Sequence, residues 1–146
     1  MSDQQPEPTR PEIPESERLR QHPTPRFAAP QHQYDLDEVT AKLRQELEAG
    51  QAGHRQETLY KHGSTTVALF LFGHLTGLPA HRAKGVVMIH VLEGHIQITA
   101  KGQIHDLHAG HLLVLAPGVE HDLSARTVSR MLLTVHLDAS AANPPV

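Results

Sequence analysis

The chain has 146 residues, a formal net charge of −3 with its histidines neutral, 38% hydrophobic and 3% aromatic residues, and neither tryptophan nor cysteine. That length suits one domain with tails, and the missing cysteine excludes disulfide staples, thiol nucleophiles and cysteine-held zinc. No apolar run approaches the ~20 residues of a membrane helix, and lysine and arginine are too scattered to form the basic face a nucleic-acid partner requires.

Residues 1–30 hold seven of the eleven prolines, with mixed charges and no periodic apolar pattern. Such a segment cannot bury enough surface to offset the cost of ordering, so a disordered Pro-rich arm is expected. Its start, Met-Ser-Asp-Gln-Gln-Pro, lacks the basic and apolar regions of a signal peptide, which makes the cytoplasm the expected location. Residues 31–55 read as a helix and connector. Leu36, Val39, Leu43 and Leu47 recur at helical spacing, Asp35 with Glu38 resembles a capping box, and Gly50 is placed to end the helix.

From about Gln56 the period becomes that of strands. Thr65–Phe72 and Val86–Leu92 are β-rich and apolar on both faces, and His95–Thr99 alternates cleanly. Lys101-Gly102 reads as a hairpin turn, followed by Ile104 and Leu107, and then by strands at Leu112–Leu115 and Met131–Leu137. Short strands with Gly-containing turns predict an all-β sandwich or barrel over residues 56–138. A flexible tail is expected over 139–146.

Thirteen histidines are many for this length. Free imidazole titrates near pH 6.5, so mild acid can reverse the sign of the net charge. Most are expected at the surface, because a buried imidazole without a partner is costly. His95, His105, His108 and His111 fall at turns or on solvent-facing positions.

Two segments then stand out: Val91-Leu92-Glu93-Gly94, and Gly110 through Ala116-Pro117-Gly118 to His121. They resemble the two motifs of the cupin family, over about residues 65–137. In cupins the first motif runs Gly, five residues, His-x-His, three or four residues, Glu, six residues, Gly. The second runs Gly, five residues, Pro-x-Gly, two residues, His, three residues, Asn. Here the second fits from Gly110 to His121, with proline moved one place within the turn and Ala125 where Asn is usual. Counting back from Gly94 puts Val87 at the glutamate position, His81 and Ala83 at the two histidine positions, and Leu75 at the glycine. The resemblance implies a double-stranded β-helix, or jelly-roll barrel, that keeps only His81 and His121 of four metal ligands.

A divalent zinc or iron site takes three protein ligands even with one position open, and two neutral imidazoles carry no charge to offset the cation. Arg82 and Lys84 could lean across the mouth toward an anion, but solvated rim residues are the more ordinary outcome. His90 and His74 are candidates for a third ligand. If Val87 points inward, alternation turns His90 outward, whereas a bulge near Gly85 would bring it in.

Three functions are compatible with this pattern. The first is a small-molecule-binding cupin whose ligand meets His81, Val87, Ile89, Val91, Ile96, Ile98, Leu112, Val114 and His121. The second is a metal-dependent dioxygenase or isomerase with a reduced site, His81 and His121 holding a weakly bound divalent metal as cofactor. The third is a metal-free enzyme in which the two histidines move protons. Partners are expected to be the small-molecule ligand and a second copy of the chain. A homodimer is expected because strands apolar on both faces need two surfaces to pack against.

Overall fold

A computed structural model describes residues 23–50 and 52–138. Most of the expected disordered arm, residues 1–22, and the tail, residues 139–146, lie outside them. Two units divide the chain, the first ending at Pro30 and the second beginning at Gln31. In the first, Pro23–Arg26 makes one helical turn (α1), and the Arg26 guanidinium lies over the Phe27 ring.

The second unit begins with α2, Leu36–Ala49. Asp35 caps it by accepting from the backbone N–H groups of Asp37 and Glu38, which satisfies two of the donors left open at any helix start. Gly50 closes it with a bond to the Glu46 carbonyl, in extended rather than left-handed backbone. Nine strands follow among the described residues: β1 His54–His62, β2 Thr65–Phe72, β3 Gly77–His81, β4 Gly85–Glu93, β5 His95–Ala100, β6 Gln103–His108, β7 Leu112–Leu115, β8 His121–Ala125 and β9 Ser129–Leu137. They form two antiparallel sheets, ordered β1-β2-β9-β4-β7 and β3-β8-β5-β6. The fold is the jelly-roll barrel that the motifs imply.

The expected turn at Lys101-Gly102 is present, with φ of 54° and 71°, the paired left-handed conformation that matches strand twist in a two-residue hairpin. Gly94 is required for two reasons. Its φ is 91°, and a Cβ there would come within 2.5 Å of the Val128 carbonyl oxygen.

The two sheets bury one core between them. Ala68, Phe70 and Phe72 of β2, Val87, Ile89 and Val91 of β4, and Ile96, Ile98 and Ala100 of β5 share it with Leu107, Leu115, Leu123, Ala125 and Met131. Alternation in β4 is regular from Gly85, and its irregularity falls between Val91 and Glu93 instead. Val87 therefore faces inward and half-buried His90 faces out, as the family register implies.

A second core lies on the outside of the five-stranded sheet. There Leu36, Val39, Leu43 and Leu47 of α2 pack on Leu59, Leu69, Leu71, Val67, Leu92 and Leu132. The second apolar face of β2 is thus covered by the chain's own helix. Polar contacts fasten the same interface: Arg130 donates to Asp37 and Thr40 of α2 at 2.9 and 3.2 Å and pairs with Glu93 at 3.1 Å. Lys42 pairs with the buried carboxylate of Glu57 at 3.1 Å, and the Tyr34 hydroxyl donates to the Leu59 carbonyl.

Leu43 is fully buried at the centre of this helix–sheet contact. Leu43→Ala is expected to cost about 2–5 kcal/mol of unfolding free energy in urea titration, the range for a leucine removed from a well-packed core.

Candidate functional site

His81 ends β3 and His121 begins β8, and the two are direct partners in the antiparallel ladder. His121 also lies opposite Ala100 of β5, which faces the core, so its ring projects into the barrel, where it is only 4% exposed. His81 shares that inward direction but is exposed, because it closes an edge strand at the barrel mouth.

A bulge makes this pairing possible. Leu78 pairs with Leu123 and His81 with His121, so β3 spends one more residue than β8 over the same stretch. Residues three apart on a regular strand face opposite sides; the extra residue lets Leu78 and His81 both face in. Pro79 lies in this stretch on an edge strand, where a missing N–H does least harm. Its carbonyl accepts from His81 Nδ1 at 3.0 Å, and the Val119 carbonyl accepts from His121 Nδ1 at 3.1 Å. The ring centroids are 4.4 Å apart and tilted by 56°. Each ring bonds backbone, not the other ring.

The surroundings are apolar. Ala83, Val119, Leu133 and Val135 are partly buried against the core. Val87 pairs with both Leu115 and Val135 and lies at this end of β4. The turn after β7 is tied to the mouth by a bond from the Gly118 N–H to the Ala83 carbonyl. Arg82 and Glu120, the residues next to the two histidines, form an exposed cross-strand ion pair of 2.6 Å. Such a pair contributes about 0–1 kcal/mol.

Of the expected lining, Val87, Ile89, Val91, Ile96 and Ile98 all enter the barrel core, with Val91 and Ile96 toward the far end from the mouth. Leu112 and Val114 do not enter it. They are 59% and 53% exposed on the outer face of β7, and Leu113 and Leu115 take the inward places. The cause is the pairing of inward Val87 and Ile89 with Leu115 and Leu113, since directly opposed residues share a face. His74 follows β2, away from the end where β3 delivers His81, and His90 faces outward. Among the described residues no three histidines, aspartates or glutamates converge as metal ligands. With Val87 where cupins place a carboxylate, the donor set at the mouth does not fit a zinc or iron site.

One cluster lies outside the expected site. On the outer face of the four-stranded sheet, His95 and His108 are cross-strand partners with rings stacked at 4.3 Å, and His108 meets the edge of His111 at 5.9 Å. His95 Nε2 donates to Asp106 at 2.7 Å, Gln97 donates to the same oxygen at 2.9 Å, and His111 Nδ1 accepts from the His108 backbone N–H. These histidines are therefore partnered rather than simply solvated. Half-buried His105, opposite inward Ile98, lies on the inner side of β6. Only strand register reveals this cluster; its members are spread over residues 95–111.

Residues 72–143 match the family model described as the AraC-like ligand binding domain. No functionally curated relative matches the sequence. Among solved structures, a cupin superfamily protein from Desulfitobacterium hafniense is similar at 20% identity and a TM-score of 0.57, over 58% of this chain and 78% of that one. An RmlC-like cupin from Shewanella frigidimarina is similar at 19% identity and 0.56, over 62% and 81%. Salicylate 1,2-dioxygenase from Pseudoaminobacter salicylatoxidans reaches 0.65 at 17% identity over 75% of this chain, which spans 34% of the enzyme.

The hydrogen bond from Gln97, then that from His95, holds the Asp106 carboxyl below the usual carboxylate range. A lowered folded value stabilises the fold above the ordinary carboxylate pKa of about 3.9, and that contribution is lost as pH falls through the folded value. Gln97→Leu is expected to raise the Asp106 titration midpoint followed by carbon NMR of its carboxylate. Jelly-roll topology, the second motif closing on His121, the family-model match over residues 72–143 and the likeness to solved cupin structures together support a small cupin domain.

Proposed function

We propose that this is a cytoplasmic small-molecule-binding cupin whose ligand enters at the His81–His121 mouth. The observation that carries the reading is a buried imidazole, His121, set beside a second one against the aliphatic side chains of Ala83, Val119, Leu133 and Val135. Polar groups are few and convergent there, and the wall around them is apolar, the usual composition of a small-molecule site. The match to a ligand-binding family model over residues 72–143 supports it. Dioxygenase or isomerase chemistry would need a metal held by His81 and His121 alone, and likeness to a dioxygenase at 17% identity speaks for the fold only.

A thermal-shift screen of small apolar molecules with polar heads tests the reading. Stabilisation by at least one compound is expected, and its loss in His121→Ala. Metal analysis of tag-free protein accompanies it: equal trace metal in the wild type and in the His81→Ala/His121→Ala variant agrees with binding without a metal site. Stoichiometric metal in the wild type alone would favour the enzyme.

We also propose that the protein is a homodimer. Helix α2 covers only part of the outer face of the five-stranded sheet, and Met88, Leu112 and Val114 remain exposed on β4 and β7. These neighbours carry no charge, so the surface can meet its own copy without like-charge repulsion. Light scattering on the eluting protein is expected to give twice the chain mass, and Val114→Lys to give a folded monomer. A monomeric wild type would end this part of the reading.

A further inference from the structure

We infer that the mouth selects neutral ligands whose head carries two adjacent hydrogen-bond donors, such as a vicinal diol, over carboxylates. The inference rests on the binding reading above and adds the chemistry of what is bound. Its basis is the pair of backbone bonds at 3.0 and 3.1 Å from the Nδ1 atoms of His81 and His121 to the carbonyls of Pro79 and Val119. A carbonyl oxygen can only accept, so each Nδ1 keeps its hydrogen. In a neutral ring the other nitrogen, Nε2, then has none and offers a lone pair. The tautomer of both rings is thus set by backbone on their own strands.

With centroids 4.4 Å apart and planes tilted by 56°, two imidazoles that each carry an Nε2 lone pair adjoin at the mouth. His121 is buried as a residue, yet its Nε2 is not among the fully enclosed polar atoms that lack a partner, so this lone pair is open to a donor arriving at the mouth. Two neighbouring hydroxyls of one ligand answer both lone pairs at once, and its apolar body meets Ala83, Val119 and Val135. A carboxylate brings acceptors alone and would face those lone pairs. Arg82, the nearest guanidinium along the chain, is engaged by Glu120, and Lys84 is exposed beyond the end of β3.

Calorimetric titration of the full chain at about pH 8, where free imidazole is neutral, tests this with three probes on one carbon frame: hexane-1,2-diol, 1,2-dimethoxyhexane and hexanoate. The diol is expected to bind at least tenfold more tightly than either of the others. His81→Leu is expected to remove that advantage while leaving the diether bound. This variant alters the exposed end of an edge strand, so it keeps the comparison open where His121→Leu fails to fold. A diether or hexanoate binding as tightly as the diol overturns the inference and leaves the binding reading in place. Failure of all three, together with a screen that finds no ligand, overturns both. Independently, nitrogen NMR of the free protein at the same pH is expected to show hydrogen on Nδ1 and none on Nε2 in both rings; hydrogen on either Nε2 overturns the inference.

Discussion

Two sheets stack face to face here because nearly every inward position is aliphatic or phenylalanine, and the site exists where that rule is broken. Phe72, Val91, Ile96 and Ile98 have no exposed surface at all. Inside such packing a polar side chain is tolerated only if its hydrogen bonds are met. His121 meets the condition with the Val119 carbonyl, two residues back on its own chain. Its buried position is therefore compatible with stability, and the same bond decides which nitrogen is left for other uses.

The irregular edge strand extends this logic. A regular β3 would spend Pro79 and Ala80 in the ladder and turn His81 to solvent. The bulge frees a carbonyl, reorients the side chain and brings a second imidazole opposite the first. Bulges gather near sites for this reason: one extra residue re-aims a side chain without disturbing the far end of the sheet. Here that far end, around Met131 and Ala125, remains closely packed.

Much of the fold was legible because its central strands are strongly apolar. Thr65–Phe72 and Leu112–Leu115 coincide with β2 and β7, and the glycine-punctuated motifs located His121 and Val87. The strands β1, β3 and β8 were not legible. His54–His62 is an edge strand whose one aliphatic residue, Leu59, packs under α2, Gly77–His81 contains a proline, and His121–Ala125 sets polar and small residues around a single leucine. For β7 the element was readable but its facing was not, since four consecutive apolar residues show no alternation and only pairing with Val87 and Ile89 selects Leu113 and Leu115. The His95–Asp106–His108 cluster depends on cross-strand register and was invisible for the same reason.

Helix α2 is part of the fold rather than an appendage. It shields Leu69 and Leu71 on the outside of the sheet, and Arg130 ties it to two strands at once. The match to the ligand-binding family model starts only at residue 72, after α2, β1 and almost all of β2. A polypeptide cut to that boundary would begin with β9 as a raw sheet margin and a greasy flank once hidden by leucines of the helix. Such a fragment would clump in solution, so the smallest well-behaved version of this domain must retain residues well upstream of the homologous block.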